Sequence, residues 1–379
     1  MPSASGCYVH IPFCVRKCAY CDFNSFSGYT AQSVRAYVDA LAAEIQDAGP
    51  EPASTVDTIF FGGGTPTAIP ADDEIRLLNA VQNRFDVTCD AEITTEANPG
   101  TTDIVNLALL RAAGFNRISF GVQSFDSDLL RALDRIHSPD EARIAISAAR
   151  SAGFENLSLD LMFALPRQTM DQWRRSLDEA LALEPDHLSM YSLIVEPGTG
   201  FYTLKNKGRL PLPDEDLAAD MFAAAIETAA DAGYVQYEIS NFAKPGRECR
   251  HNLHYWRNEP YFGLGCGAVS YLNGIRRAKI KSPAAYVEAV NRGDCAAGSS
   301  EELTERETMA ETMMVGLRLT REGVSFSRFK ERFGVDLCDV YRSEVERFRT
   351  RGLLDVTEEC VRLTPKGVFL GNEVMMEFV

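Results

Sequence analysis

Three cysteines near the start of the chain have a spacing suited to redox chemistry. Cys14, Cys18 and Cys21 lie in the run CVRKCAYC, a C-x3-C-x2-C pattern. Three thiolates can each bind one iron of a cubic [4Fe–4S] cluster, which leaves the fourth iron without a protein ligand. An iron with an open coordination position can chelate a small molecule and pass it an electron. The spacing therefore predicts an iron–sulfur site with one vacant corner.

Zinc and free thiols are the alternatives for this loop. Structural zinc takes four ligands in a closed tetrahedron, and His10 could supply the fourth, although on a strand its side chain would point away from the loop. A disulfide framework is not expected, because the ten cysteines show no regular pairing. The cysteines outside the loop are scattered, and most are expected to be buried small apolar residues: Cys7, Cys89, Cys249, Cys266, Cys295, Cys338 and Cys360.

Length and charge narrow the class of protein. A chain of 379 residues exceeds one typical core and predicts about two domains. The formal charge of −16 argues against a protein that tracks nucleic-acid phosphates. The start, MPSASGCYVH, has no basic and apolar pattern of a secretory signal, and no run of about 18 uncharged apolar residues could span a membrane. Free thiols and an oxygen-sensitive cluster fit a reducing cytoplasm.

The first part of the chain alternates strands and helices. Short apolar runs predict strands at 8–11, 56–61, 91–95, 117–122, 157–163 and 187–194. Amphipathic stretches predict helices near 31–48, 72–85, 101–113, 139–152 and 169–183. Six strands separated by helices imply parallel βαβ units with right-handed crossovers. We therefore expect an α/β fold, a partial (β/α)6 barrel of the TIM type.

Polar or glycine-rich signals recur where these predicted strands end. The cysteine loop follows the first strand and FGGGTP the second, Glu96 and Gln123 end the third and fourth, and Asp160 lies in the fifth. In such barrels the chemistry sits at the C-terminal ends of the strands. One shared site is therefore expected at that end. FGGGTP alone is a weak signal, because it lacks the lysine of a phosphate-binding loop.

The pattern changes after residue 236. A polar stretch rich in glycine and aromatic residues connects 237–303, and helices followed by RGLLDV and VRLTPKG occupy 304–379. The last segment predicts a small winged-helix-like α+β domain. Because the chain is acidic, we expect this domain to be a structural cap or a partner surface rather than a DNA reader. The predicted domains are thus a core barrel at 1–236, a connecting region at 237–303 and a C-terminal domain at 304–379.

The motifs together resemble a known family. CVRKCAYC, GGGTP, EANPG, GVQSF and LDLMFALP are similar to those of the radical SAM superfamily, in the branch that contains oxygen-independent coproporphyrinogen III dehydrogenase and the HemW heme chaperones. The resemblance covers essentially the whole chain and implies a [4Fe–4S] cluster on the three cysteines, with S-adenosylmethionine (SAM) on the open iron. The positions matching SAM contacts are Tyr8, Tyr20, Gly63, Gly64, Thr65, Glu96, Gln123, Arg135 and Asp160. Alternatively, Arg135 and Asp160 pair only with each other.

Three features place the resemblance in the HemW branch. The decarboxylating dehydrogenases carry one more cysteine two places after the third, where this chain has Phe23. They also carry a long N-terminal extension, whereas seven residues precede Tyr8 here. The run RHNLHYW contains the H-N-x-x-Y-W pattern typical of HemW proteins.

The resemblance suggests a heme site in this run. His251 and His254 are candidate ligands for heme iron, and Tyr255 and Trp256 offer flat apolar faces to a porphyrin. The alternative is a capped turn with a buried aromatic pair. Cys249 and Cys266 are weaker candidates for a thiolate ligand or a thioether link.

The leading functional hypothesis is a cytoplasmic heme chaperone that passes heme to an acceptor protein. The alternatives are a SAM-dependent coproporphyrinogen III dehydrogenase and radical modification of another substrate. Phe23 favours the heme chaperone. No catalytic residue is assigned, and the cleavage of SAM is left open. The sequence does not name the acceptor, the number of SAM molecules or any peripheral contact with a membrane. It does not distinguish a monomer from a cluster-dependent dimer.

Overall fold

The computed structural model describes residues 5–48 and 55–379. Residues 1–4, part of the segment in which no secretory signal is predicted, lie outside the described residues, as do residues 49–54. None of the helices in the described ranges combines the length and the apolar character needed to cross a bilayer.

Six parallel strands and the helices between them form the first part of the fold, as predicted. The strands are β1 (Ser5–Ile11), β2 (Thr55–Gly63), β3 (Asp86–Ala97), β4 (Arg117–Gln123), β5 (Asn156–Phe163) and β6 (His187–Ser192). The helices are α1 (Ala31–Asp47), α2 (Ala71–Arg84), α3 (Ile104–Ala113), α4 (Ser127–Ala132), α5 (Pro139–Ser151) and α6 (Met170–Ala182). Each strand pairs in parallel with the next.

Local chemistry sets the ends of these elements. Thr30, Ser138 and Thr169 each form a capping box at the start of α1, α5 and α6, so two backbone donors are satisfied at each helix start. Gly114 ends α3 in the left-handed conformation, at φ 117°, which a residue with a Cβ rarely adopts. All residues of β4 are buried, as expected for a parallel strand covered on both faces.

The segment 200–302, which includes the predicted connecting region, adds strands to both sides of the same sheet. Its elements are α7 (Gly200–Asn206), α8 (Glu215–Asp231), β7 (Val235–Gln236), β8 (Asn241–Ala243), α9 (Arg250–Trp256), β9 (Tyr261–Leu264), β10 (Val269–Leu272), β11 (Ile275–Lys279), α10 (Pro283–Asn291) and β12 (Ala297–Glu302). The strand order is β12-β11-β10-β9-β1-β2-β3-β4-β5-β6-β8-β7. Strands β1 and β6 therefore do not pair, and the barrel is open, as the partial-barrel prediction requires.

A separate core forms in the C-terminal domain. Its elements are α11 (Glu305–Gly316), β13 (Val324–Ser325), α12 (Phe326–Phe333), α13 (Leu337–Val340), α14 (Arg342–Thr350), β14 (Leu354–Val356), β15 (Cys360–Leu363), α15 (Pro365–Phe369) and α16 (Gly371–Met375). The three strands make an antiparallel sheet that includes the predicted hairpin. One hydrophobic core runs from Cys7 to Ala296 and another from Met309 to Phe378. The domain boundaries at 236 and 303 stay predictions, and residue 236 lies within the residue range of the first core.

Candidate functional site

A cavity of about 290 Å³ opens at the C-terminal ends of the parallel strands. The three cysteines line it, together with eight of the nine residues at predicted SAM positions: Tyr20, Gly63, Gly64, Thr65, Glu96, Gln123, Arg135 and Asp160. Because β1 to β5 are parallel, their C-terminal ends meet at one side of the sheet. The single shared site expected from the sequence is therefore present.

Strand β2 and the glycine run hold the cysteine loop against the sheet. Gly64 N–H donates to Ile11 O at 2.8 Å, and Thr65 N–H donates to Phe13 O at 2.8 Å. A Cβ at position 64 would lie 2.7 Å from Phe13 O, so only glycine allows this approach. Gly64 and Thr65 also match predicted SAM positions, and the N–H groups of both are used to position the loop.

Polar groups surround the three sulfur atoms. Cys14 Sγ lies 3.6 Å from Thr65 Oγ1, Arg135 Nη1 donates to Cys18 Sγ at 3.5 Å, and Cys21 Sγ lies 4.0 Å from Ser25 Oγ. Burial raises the pKa of the Cys14 and Cys21 thiols, whereas their hydrogen-bond partners lower it. Such donors stabilise thiolates and tune the potential of an iron–sulfur cluster.

The three cysteine side chains are not grouped around a single metal ion. Within residues 5–48 and 55–379, no three His, Cys, Asp or Glu side chains are arranged to hold one metal ion. A cubane instead places each thiolate on a different iron. His10 is not a fourth ligand, because its Nε2 lies 2.9 Å from Asn24 O and its Nδ1 lies 3.0 Å from Tyr8 Oη. The zinc alternative is therefore not supported.

Two half-buried carboxyl groups, Glu96 and Asp160, lie on the wall of the cavity. Gly63 N–H donates to Glu96 Oε2 at 3.1 Å, and Ser119 Oγ donates to Asp160 Oδ1 at 3.0 Å. Burial, with the nearby Asp160, raises the pKa of Glu96 to about 8, and burial also raises the pKa of Asp160. A bound cation would lower both pKa values, because it favours the ionised carboxylates. This wall is suited to a ligand with a positive charge or with hydroxyl donors.

Arg135 supplies a cation to the same cavity. Its Nη2 donates to Asn98 Oδ1 at 2.6 Å and to Gly121 O, and its buried Nε has no hydrogen-bond partner. Arg135 forms no ion pair with Asp160 or with any other carboxylate that the structure describes, so the alternative that Arg135 and Asp160 pair with each other is not observed. A half-buried guanidinium without a carboxylate partner fits a ligand that carries a carboxylate.

The cavity contains residues that the sequence did not single out. Asn98, two positions beyond Glu96, donates to Thr65 Oγ1 at 2.7 Å and accepts from Arg135. Tyr191, near the end of β6, donates to Gln123 Oε1 at 2.9 Å. Gln123 has φ 66°, an uncommon conformation for this residue type and one that clusters at functional sites. A search for polar residues at every strand end would have found Asn98 and Tyr191.

Tyr8 is the one residue at a predicted SAM position that does not line the cavity. Its hydroxyl is 3.0 Å from His10 Nδ1, and its ring stacks on Phe60 with ring centroids 6.3 Å apart. Its role in SAM binding stays a prediction. Tyr20 does line the cavity and packs against Phe201.

The two histidines of the H-N-x-x-Y-W motif are engaged by protein groups. His251 Nδ1 lies 2.9 Å from Thr58 Oγ1, and its Nε2 lies 2.9 Å from Tyr255 Oη. Burial lowers the pKa of His251 to about 3. Neither nitrogen is free to bind heme iron in this conformation.

His254 bridges two carboxylates. Its Nε2 lies 2.7 Å from Asp57 Oδ1, and its Nδ1 lies 2.7 Å from Glu259 Oε2. Burial alone would lower the pKa of His254, but the two carboxylates raise it to about 9. A protonated imidazole has no lone pair for iron, so the structure does not support the predicted ligand role for this ring.

The two cysteines that flank this motif are also enclosed. Cys249 and Cys266 are fully buried, and burial raises the pKa of each thiol to about 12. Cys249 Sγ lies 3.5 Å from Glu92 Oε1, and that carboxylate also accepts from His251 N–H at 3.1 Å. Neither sulfur is available to a heme in this conformation.

Comparison with known proteins gives consistent matches. Residues 8–180 match the radical SAM superfamily, and residues 303–370 match the HemN C-terminal domain. A protein named heme chaperone HemW from Bacillus subtilis is 41% identical over 98% of each chain. A protein of the same name from Escherichia coli is 42% identical over 74% of this chain and 75% of its own. The solved structure of E. coli coproporphyrinogen III oxidase (HemN), a radical SAM enzyme, has TM-score 0.84 and 26% identity, and the match covers 100% of this chain and 90% of that one.

Proposed function

The chain belongs to the radical SAM superfamily and, within it, to the HemW group, and we propose that it is a heme chaperone. In this role it binds heme and passes it to an acceptor protein. It also carries a [4Fe–4S] cluster on Cys14, Cys18 and Cys21, with an exchangeable SAM beside it. The observation that carries the proposal is the 41% identity, over 98% of each chain, to a protein named for this role.

The cavity supports the cofactor part of the proposal. Cys14, Cys18 and Cys21 share one loop at the cavity, and a hydroxyl or guanidinium group lies near each sulfur. When bound, the cluster supplies one-electron chemistry and an open iron for the amino and carboxylate groups of SAM. Arg135 is placed to bind a carboxylate, and Glu96 and Asp160 are placed to accept from an amine or from ribose hydroxyls.

A coproporphyrinogen dehydrogenase is the second candidate function. The similarity to E. coli HemN over 90% of that chain favours it. Against it stands Phe23, which occupies the place where those enzymes are expected to carry a further cysteine. Its ring lines the mouth of the cluster cavity and is 64% exposed, and it offers no sulfur.

One pair of assays separates the two functions. The protein is reconstituted with iron and sulfide without oxygen, and heme is titrated by absorbance. The same preparation is given SAM, a reductant and coproporphyrinogen III. We expect saturable heme binding near one per chain and no decarboxylation. Decarboxylation at a steady rate, without heme binding, would contradict the proposal.

We further propose that the protein works in the cytoplasm. All ten cysteines are free, which fits a reducing compartment. The three cluster ligands need the same condition, because disulfide formation would remove thiolates from iron. Separating membrane from soluble fractions of cells that express the protein would test this location and any peripheral membrane contact.

A further inference from the structure

A tight turn fixes Asn98 at the wall of the cluster cavity. The run NPGT, from Asn98 to Thr101, directly follows β3, and Thr101 N–H donates to Asn98 O at 3.1 Å. Gly100 has φ 83°, the conformation that a type II turn requires at its third residue, and a proline at the second residue favours the same turn. Thr101 Oγ1 donates to the same carbonyl at 2.6 Å. The backbone of Asn98 is therefore held in place, and its side chain lines the cavity.

The amide of Asn98 joins two other residues of the cavity wall. Its Nδ2 donates to Thr65 Oγ1 at 2.7 Å, and its Oδ1 accepts from Arg135 Nη2 at 2.6 Å. A guanidinium has donors only, so the amide oxygen must face Arg135 and the amide nitrogen must face Thr65. The two partners therefore set the orientation of the amide.

Gly121 leaves room for the contact between Asn98 and Arg135. A Cβ at position 121 would lie 2.8 Å from Asn98 Oδ1 and 3.2 Å from Arg135 Nη2. Arg135 also donates to Gly121 O, so the backbone of β4 holds the guanidinium on a second side. The amide and the guanidinium therefore meet where this strand has no side chain.

Each partner of Asn98 lies against a different cysteine of the loop. Thr65 Oγ1 is 3.6 Å from Cys14 Sγ, and Arg135 Nη1 donates to Cys18 Sγ at 3.5 Å. Because Thr65 Oγ1 already accepts a hydrogen bond from Asn98, its own hydrogen is left to be donated to Cys14. Thr65 is 2% exposed, so bulk water does not compete for that hydroxyl. One amide thus orients a donor toward each of two sulfur atoms.

We infer that Asn98 is a positioning residue that sets the reduction potential of the cluster. It acts through Thr65 on one cysteine and through Arg135 on another. This inference rests on the proposed function, because it assumes a [4Fe–4S] cluster on the three cysteines. Reduction adds one electron, and so one negative charge, to the cluster and its thiolates. Donors to the sulfur atoms stabilise that added charge and raise the potential.

The test is an anaerobic redox titration of the reconstituted full-length protein without SAM. Dithionite supplies the electrons through mediator dyes, and the EPR signal of the reduced cluster is followed against the potential. Wild type is compared with Asn98→Ala, Asn98→Asp, Thr65→Val and the double variant Thr65→Val/Asn98→Ala. Tyr191→Phe is the control, because Tyr191 lines the same cavity but its hydroxyl donates to Gln123. Iron content and circular dichroism are measured for each variant, so that potentials are compared only between folded, loaded proteins.

We expect Asn98→Ala to change the ratio of oxidised to reduced cluster roughly tenfold toward the oxidised form, which is about 59 mV for a one-electron couple. Thr65→Val should give a smaller shift in the same direction, because it removes only the donor to Cys14. The double variant should shift by less than the sum of the two, since Asn98 acts partly through Thr65. Tyr191→Phe should keep the potential of wild type.

Asn98→Asp separates orientation from size. It keeps the length of the side chain and the bond to Arg135, but its second oxygen accepts from Thr65 and turns that hydrogen away from Cys14. Its added negative charge acts in the same direction, so the potential should again fall. If Asn98→Ala takes up no cluster, this variant and Thr65→Val, which conserve side-chain size, decide the result.

The outcomes separate this inference from the proposed function. Potentials equal to that of wild type in the loaded variants of Asn98 and Thr65 would overturn the inference, while the cluster and the proposed function stand. If reconstituted wild type shows no signal of a [4Fe–4S] cluster, the cofactor part of the proposed function fails as well.

Discussion

His254 should make the stability of the protein depend on pH in a defined window. The two carboxylates beside it raise its pKa to about 9 from an ordinary value of 6.5. The folded state therefore binds this proton more tightly than the unfolded state does. A shift of this size corresponds to roughly 3 kcal/mol of stabilisation when His254 is charged in the folded state. This stability is fully present below about pH 6.5 and is lost as the pH rises through about 9.

The perturbation is His254→Gln, which keeps a polar side chain but cannot carry a charge. The difference in unfolding free energy between wild type and this variant should fall by about 1.4 kcal/mol per pH unit between pH 6.5 and 9. Urea unfolding of the reconstituted protein, followed by tryptophan fluorescence and circular dichroism, measures it at each pH. Other groups that titrate in this window, such as Glu96, are present in both proteins and cancel in the difference.

The matched control is His137→Gln. Burial, with the nearby Arg135, lowers the pKa of His137 to about 4, so this ring is neutral throughout the window. The difference between wild type and His137→Gln should therefore not change from pH 6.5 to 9. Parallel curves for wild type and His254→Gln would refute the reasoning, since they would show that His254 carries no perturbed proton.

Three further outcomes follow from the cluster cavity. Cys14→Ala should lower the amount of bound iron and remove the absorbance of a [4Fe–4S] cluster. The control is Cys360→Ala, which changes a buried cysteine of the C-terminal domain and should keep both the iron and the absorbance. Equal iron content in the two variants would contradict the ligand assignment. Arg135→Lys should weaken SAM binding about tenfold in anaerobic calorimetry, because lysine cannot form the paired bonds to a carboxylate, and unchanged affinity would remove Arg135 from the SAM site. Gly64→Ala should reduce cluster occupancy in a folded protein, because its Cβ would meet Phe13 O at 2.7 Å; full occupancy would show that the loop tolerates the shift.

The strongly patterned part of the fold could be predicted from the sequence. The strands β1, β4 and β5 are buried on both faces along almost their whole length, so their apolar runs are conspicuous. The strands β9 to β12 could not be predicted in the same way. β12 has the sequence AGSSEE and every residue is exposed, so no alternation marks it. Its pairing with β11 is what makes it a strand, and that partner is set by the fold.

The candidate site residues divide in the same way, into those that the sequence order marks and those whose roles depend on partners brought close by folding. The cavity residues lie where strands end, which the sequence order reveals. The roles of His251 and His254 depend in part on residues outside the motif, Thr58 for His251 and Asp57 for His254. Asp57 lies on β2, far from His254 in the chain, and makes it a structural cation. Residue type alone suggested a metal ligand in both cases.

Because the barrel is open, its sheet has two edge strands whose outer backbone N–H and C=O groups pair with no further strand of that sheet. One edge strand is β7, which has only two residues, and the other is β12, which ends with Glu301 and Glu302. Copies stacked in parallel and in register along β12 would bring like charges together, which discourages fibre-like growth of the sheet from one molecule into the next.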